Sequence, residues 1–193
     1  MRAVAGEWTA TQAGASVTRA EFESWMASEQ RRVYLLCLGM LRNSDDADTA
    51  TQDAFFKAYR ALTSGRGLVV EDAVKWITRI AVNTSLDIIR SRRWAFWRRR
   101  ASASEEDMAL ELVQDQGSGA EGNLRAREIA RRFSRALCKL SDRQRAVFVL
   151  RHGEDRTIEE IGAILELDVG TVKSHMARAL RKLREELRDL YVG

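Results

Sequence analysis

The stretch from Thr157 to Arg184, TIEEIGAILELDVGTVKSHMARALRKLR, constrains the fold of this chain more than any other. Ile158, Ile161, Ile164 and Leu165 recur at helical spacing, which predicts a short helix over 158–165 with one apolar face. Thr157, followed three residues later by Glu160, forms a capping-box pattern at its start. Glu166, Leu167 and Asp168 make a tight turn, and a second helix starts near Val169 with Val172, Met176, Ala179, Leu180, Leu183 and Leu187 on its buried stripe. Its other face is basic. No acid occurs between 169 and 184, whereas Lys173, Arg178, Arg181, Lys182 and Arg184 are cationic and Ser174 and His175 can hydrogen-bond. A short apolar helix, a tight turn and a basic second helix match the helix-turn-helix, whose second helix enters the DNA major groove. An ordinary helical hairpin with a solvated basic face has the same charge. The turn spacing and the confinement of charge to the second helix favour DNA binding.

The remainder reads as helix too, because the chain has no proline and little β-branched alternation. The expected fold is all-α: two small helical domains joined by a flexible acidic linker, the C-terminal one a helix-turn-helix. Residues 1–18 form a loose Ala/Gly/Thr-rich arm. An N-terminal bundle follows over 19–97, in three helices. The first spans about Arg19 to Leu41, with Phe22, Trp25, Met26, Val33, Leu36, Cys37 and Met40 on one face. The second, capped by Ser44 or Asp45, runs from Asp46 to about Leu62 and buries Ala47, Ala50, Ala54, Phe55, Ala58 and Tyr59. The third spans about Glu71 to Arg90, with Val74, Ile77, Ile80, Ala81, Thr84 and Ile88 inside. An acidic linker occupies 98–122, where six acids stand between 101 and 122 without a base. The C-terminal domain, 123–193, opens with a helix marked by Leu124, Ile129, Phe133 and Leu137. A second, capped by Ser141 and Gln144, follows before the helix-turn-helix.

Composition narrows the function classes. The 32 basic residues exceed the 28 acidic ones by only four, so distribution says more than net charge about an anionic partner. Cys37 and Cys138 lie far apart without metal-ligand spacing and read as core thiols in a reducing cytosol. No apolar run approaches the ~20 residues a membrane helix needs, and no secretory segment opens the chain. A cytoplasmic, nucleoid-associated protein without membrane insertion is expected. Neither histidine has a nucleophile or ligand neighbour at useful spacing, and no glycine-rich phosphate loop occurs. No enzyme activity, metal or cofactor is therefore expected.

A second nucleic-acid surface follows the first bundle. RSRRWAFWRRR, residues 90–100, holds six arginines and two tryptophans without an acid. Arginine neutralises phosphate, and indole offers a stacking face for an unpaired base. Trp76, with Lys75 and Arg79, stands off the apolar stripe of the third helix, and Asn83 follows at a position suited to a base edge. The tryptophans read equally as anchors of a small core.

The segments DADTATQDAFFKAYRAL (46–62), WITRIAVNTSLDIIR (76–90), LSDRQRAVFVLR (140–151) and VGTVKSHMARALRKLR (169–184) resemble, in order, bacterial sigma-70 family factors of the two-domain, extracytoplasmic-function (ECF) group. The resemblance covers roughly residues 20–93 and 123–190. It implies a factor that binds core RNA polymerase, directs it to promoters through −10 and −35 elements, and assists strand melting. Polymerase contact, at the β′ clamp, falls to Asp48, Gln52, Asp53, Phe56 and Lys57, with further contact to the β subunit. The −10 element falls to Trp76, Arg79, Asn83, Arg90, Arg92 and Arg93, on duplex and single strands. The −35 element falls to Thr171, Lys173, Ser174, His175 and Arg178, with Arg145, Arg151 and Arg181 on the backbone. The linker is expected to thread polymerase's RNA channel, and an anti-sigma factor is expected as a further partner. Two other readings remain at this stage: a response-regulator-type helix-turn-helix factor that binds duplex DNA without polymerase, and a helical interaction protein whose basic faces serve solubility.

The sequence departs from the family pattern in three places. The loop at 68–72 is about two residues longer, Glu166 stands where the turn usually has glycine, and Gly162 replaces an alanine. Glu166 must therefore tolerate positive φ or the turn must adjust. Gly162 should cost ~1 kcal/mol in a helix unless close packing uses it.

Overall fold

The computed structural model describes residues 18–64, 70–100 and 124–188. These form seven α-helices: α1 Arg19–Leu41, α2 Ser44–Thr63, α3 Ala73–Arg100, α4 Leu124–Cys138, α5 Asp142–His152, α6 Ile158–Leu165 and α7 Val169–Glu186. Residues 1–17 of the expected arm, most of the expected linker and residues 68 and 69 of the 68–72 loop lie outside the described residues. No helix among those described is long and apolar enough to cross a membrane.

Local chemistry sets the helix ends. Thr18 and Glu21 close α1 with a reciprocal capping box, as Ser141 and Gln144 do for α5 and Thr157 and Glu160 for α6. The cap of α2 is Asn43, not Ser44 or Asp45: its side-chain oxygen accepts from the Asp46 amide at 2.8 Å. Both serine and aspartate instead lie in the first turn, where the Asp45 carboxylate favours the positive end of the helix dipole. Helix α3 runs ten residues past its expected end at Arg90. Nothing in RSRRWAFWRRR breaks a helix, since it lacks both glycine and proline. The compositional change leaves the helical backbone uninterrupted.

Helices α1, α2 and α3 pack together around Trp25, Val33, Met40, Ala54, Phe55, Ile77 and Val82. Trp25 meets the Phe55 ring edge-on at 5.8 Å. Alanines at 47, 50, 54 and 58 are wholly buried and let α2 approach its neighbours closely. The apolar core then continues into the C-terminal helices: Ala146, Val147, Val149 and Leu150 of α5 and Ile161, Ile164 and Leu165 of α6 belong to it. A smaller cluster joins α4 to α7 through Leu137, Leu140, Leu183 and Leu187. Ile129 and Phe133, two of the apolar residues that mark α4 in the sequence, are 44% and 38% exposed. Cys37 is buried as expected. Cys138 is exposed, because the inward face at the end of α4 is taken by Ala136, Leu137 and Leu140.

Candidate nucleic-acid interface

The helix-turn-helix is built by caps at both sides of its turn. Helix α6 ends at Glu166, which takes the left-handed conformation with φ 55° and ψ 49°. The non-glycine residue therefore adopts a positive φ that glycine would reach more freely. Gly162 explains how the turn closes. The Leu167 amide donates to the Gly162 carbonyl at 2.9 Å, and a Cβ at 162 would lie 2.7 Å from the Leu167 carbonyl oxygen. Close backbone approach thus uses this glycine. Arg143 supplies a further bond, donating to the Leu165 carbonyl at 3.1 Å. Asp168 then caps α7 by accepting from the Thr171 amide at 2.8 Å, and from the Thr171 hydroxyl as well. Those bonds hold the Asp168 carboxyl below its usual range, the hydroxyl contributing most.

With α7 so oriented, Val172, Ala179 and Leu183 face inward, while Lys173, Ser174, Arg178 and Arg181 are exposed. Thr171 and His175 are half-buried beside them. Burial, and then the neighbouring Arg178 and Arg143 charges, lower the His175 imidazole below the usual 6.5. Arg151 is exposed at the end of α5 and donates to the Arg156 carbonyl at 2.9 Å. Arg145 departs from the rest of the −35 set. It is turned inward, donating to the Met40 carbonyl of α1 at 2.8 Å and to the Leu140 carbonyl at 3.4 Å.

Helix α3 displays the other set. Trp76, Ile80, Asn83 and Thr84 line one side of a groove of about 370 Å³, and Lys57 and Ala61 of α2 line the other. Asn83 is exposed at this groove, and Trp76 is half-buried against the core. Trp94 is 65% exposed, so it serves as no core anchor. Arg90 pairs with Asp87 at 3.4 Å, Arg92 with Asp46 of α2, Arg93 with Asp142 of α5, and Arg79 with Glu166.

On α2, Asp48, Gln52, Asp53, Phe56 and Lys57 are all exposed, at spacings that place them along one face. Phe56 is 60% exposed, with the Arg60 guanidinium 5.7 Å from its ring centre. Lys57 leaves the row at its tip, where its ammonium donates to the Thr84 hydroxyl at 2.9 Å and borders the α3 groove. Sequence reasoning missed Arg32, Glu154 and Arg156. Arg32 pairs with Glu29 at 2.6 Å, donates to Thr78 at 3.0 Å and meets Glu154. Arg32 and Glu154 stand 122 positions apart along the chain, which left no periodic signal.

One module carrying a capped helix-turn-helix and another carrying a groove lined by Trp, Asn and Lys define a two-module, all-α nucleic-acid-binding protein. The comparisons make the class specific. Residues 25–95 match Sigma-70 region 2 and residues 136–185 match Sigma-70, region 4. This chain belongs to the sigma-70 family, in its ECF group. It is 32% identical over 161 residues to the ECF RNA polymerase sigma factor SigW of Bacillus subtilis, covering 82% of this chain and 84% of that protein. It is likewise 32% identical over 155 residues to the ECF RNA polymerase sigma-E factor of Escherichia coli, covering 76% of each. Two solved structures share the fold. The sigma factor RpoE in complex with the anti-sigma factor NepR, from Bartonella quintana, gives a TM-score of 0.66 at 21% identity, over 87% of this chain and 97% of that one. CnrH in complex with the cytosolic domain of CnrY gives 0.62 at 22%, over 90% and 92%.

Proposed function

We propose that this ECF sigma factor binds core RNA polymerase through the α2 face of Asp48, Gln52, Asp53 and Phe56, with Lys57 at its edge. It then recognises a promoter at two elements. Helix α7 enters the major groove at −35, where Lys173, Ser174 and Arg178 meet base edges with Thr171 and His175 beside them. Arg151 and Arg181 hold phosphates, as does Arg145 once released from the Met40 carbonyl. Helix α3 takes the −10 element: Trp76, Lys57 and Asn83 around their groove receive an unstacked base, and Arg79, Arg90, Arg92 and Arg93 hold the backbone. No covalent chemistry is required of the chain. Binding energy to polymerase and to two DNA elements offsets the cost of unpairing a few bases. The acidic linker 98–122 passes through polymerase's RNA channel, and the protein acts at the nucleoid in the cytoplasm.

The capped α6–α7 turn with its uninterrupted basic outer face is the observation that carries this reading. Two partner surfaces complete it. The exposed groove of about 520 Å³ lined by Phe133, Phe148, Leu180 and Leu187 suits an apolar helix of the polymerase β subunit. An anti-sigma factor is proposed as the inhibitor, since both structural relatives were solved with a bound partner, named an anti-sigma factor for RpoE. In vitro transcription with purified core polymerase and a promoter library tests the whole. New start sites that depend on this protein are expected. Core enzyme that neither binds the protein nor initiates differently in its presence would overturn the assignment.

A further inference from the structure

Helix α7 carries one side chain whose hydrogen-bonding state is decided by the fold. Lys173, Ser174 and Arg178 of its outward face are exposed, whereas His175 between them is half-buried. The Nδ1 atom of His175 is sealed from solvent and finds no hydrogen-bond partner, so the accessible nitrogen of the ring is Nε2. The charged groups that act on the ring are Arg178 of its own helix and Arg143 of α5. Arg143 is pinned there by its bond to the Leu165 carbonyl at the end of α6. The acids of the adjoining turn are engaged elsewhere, Glu166 by Arg79 and Asp168 by the Thr171 amide and hydroxyl. A proton on Nδ1 would be a buried donor with nothing to accept it, in the field of two guanidinium groups. The same field favours a lone pair at that atom. Burial and those charges also lower the imidazole below its usual 6.5. The ring therefore carries one proton, and that proton belongs to Nε2.

We propose that His175 is a base-reading residue for the −35 element, whose fixed Nε2–H donor selects guanine. A neutral imidazole locked in this tautomer offers the groove one donor and no acceptor. Among the four base edges of the major groove, guanine sets two adjacent acceptors, N7 and O6, before such a donor. Adenine flanks its N7 with the N6 amino donor, thymine flanks its O4 with a methyl group, and cytosine offers only a donor. Packing also restricts the half-buried ring before DNA arrives. Less rotamer entropy is lost on contact than when the exposed Lys173 or Arg178 chain is fixed. The inference rests on the assignment of α7 to the −35 element and adds to it a base identity and the atom that reads it.

The test uses holoenzyme formed from core polymerase and the full chain. Its probes are promoter duplexes that carry each of the four base pairs in turn at every −35 position. The wild type should prefer guanine over cytosine about threefold to tenfold at one position, the worth of one net hydrogen bond. That position should lie within about two base pairs of the one relaxed by Arg178→Ala, because three helical residues rise ~4.5 Å and successive base pairs ~3.4 Å. His175→Ala should abolish the guanine preference. His175→Gln sets an acceptor beside the donor and should move the preference to adenine, a change that lost packing alone would not produce. The wild-type discrimination should be equal at pH 8 and pH 7. Discrimination that grows as pH falls would mean an imidazolium on phosphate, and would overturn the proposal. So would His175 variants that keep every wild-type preference while Arg178→Ala relaxes one. If Arg178→Ala also leaves every preference intact, the −35 assignment itself falls, and the role of His175 with it.

Discussion

Gly162 and Glu166 form a linked pair. A glycine stands inside α6 and a glutamate takes the left-handed turn that follows it. The contact of 2.7 Å between a Cβ at 162 and the Leu167 carbonyl oxygen decides the sign of a substitution. Gly162→Ala would gain ~1 kcal/mol of helix propensity but lose about 2–3 kcal/mol to overpacking against backbone that cannot swing away. A net loss of roughly 1–2 kcal/mol is expected, read as a lower urea midpoint with unchanged slope. His175 gives a pH prediction. Its pKa is lowered by burial and by Arg178 and Arg143, so the neutral ring stabilises the fold above pH 6.5. That contribution is lost as pH falls through the lowered value, because the unfolded chain takes up the proton more readily. Between pH 7.5 and 5.5 the wild type should lose more stability than His175→Gln. Equal losses in chemical denaturation would contradict the cause assigned.

The proposed function gives single helices single recognition tasks, so each should be separable by mutation. Asp53→Arg reverses charge in the middle of the exposed α2 face and should weaken polymerase capture while leaving helical content intact. An unchanged pull-down would remove α2 from that role. Arg178→Ala should cost ~1–3 kcal/mol of discrimination at one −35 position, seen as a relaxed base preference in a binding selection. Asn83→Ala, at the α3 groove, should reduce permanganate reactivity of the opened strands more than it reduces initial duplex binding. The elements were largely legible beforehand. α1 and α6 span the expected residues, and the capping patterns at Ser141 and Thr157 appear where expected, whereas the Thr18–Glu21 box falls on a residue assigned to the loose arm. The misread boundary was the end of α3. There the composition changes to a run rich in arginine, but arginine is a good helix former and the backbone continues.

At the scale of the whole molecule, one apolar core includes residues from both modules. The described chain should therefore melt in a single cooperative transition. Val149→Asp, which puts a carboxylate opposite Gly39, should split calorimetric unfolding into two steps by parting the modules. A wild type that already melts in two steps would show that the junction adds no cooperativity. Periodicity and cap spacing, read from the chain alone, were enough for the all-α class, the helix-turn-helix and the exposure of Lys173, Ser174 and Arg178, because helix formation and its caps depend on residues within four positions of one another. They were silent on Arg145 turning to Met40, on Lys57 turning to Thr84, and on Glu154 meeting Arg32. Those outcomes depend on which surfaces meet when helices far apart in the chain pack together. Only packing brings such groups within reach, and it decides which charges face solvent and which neutralise one another.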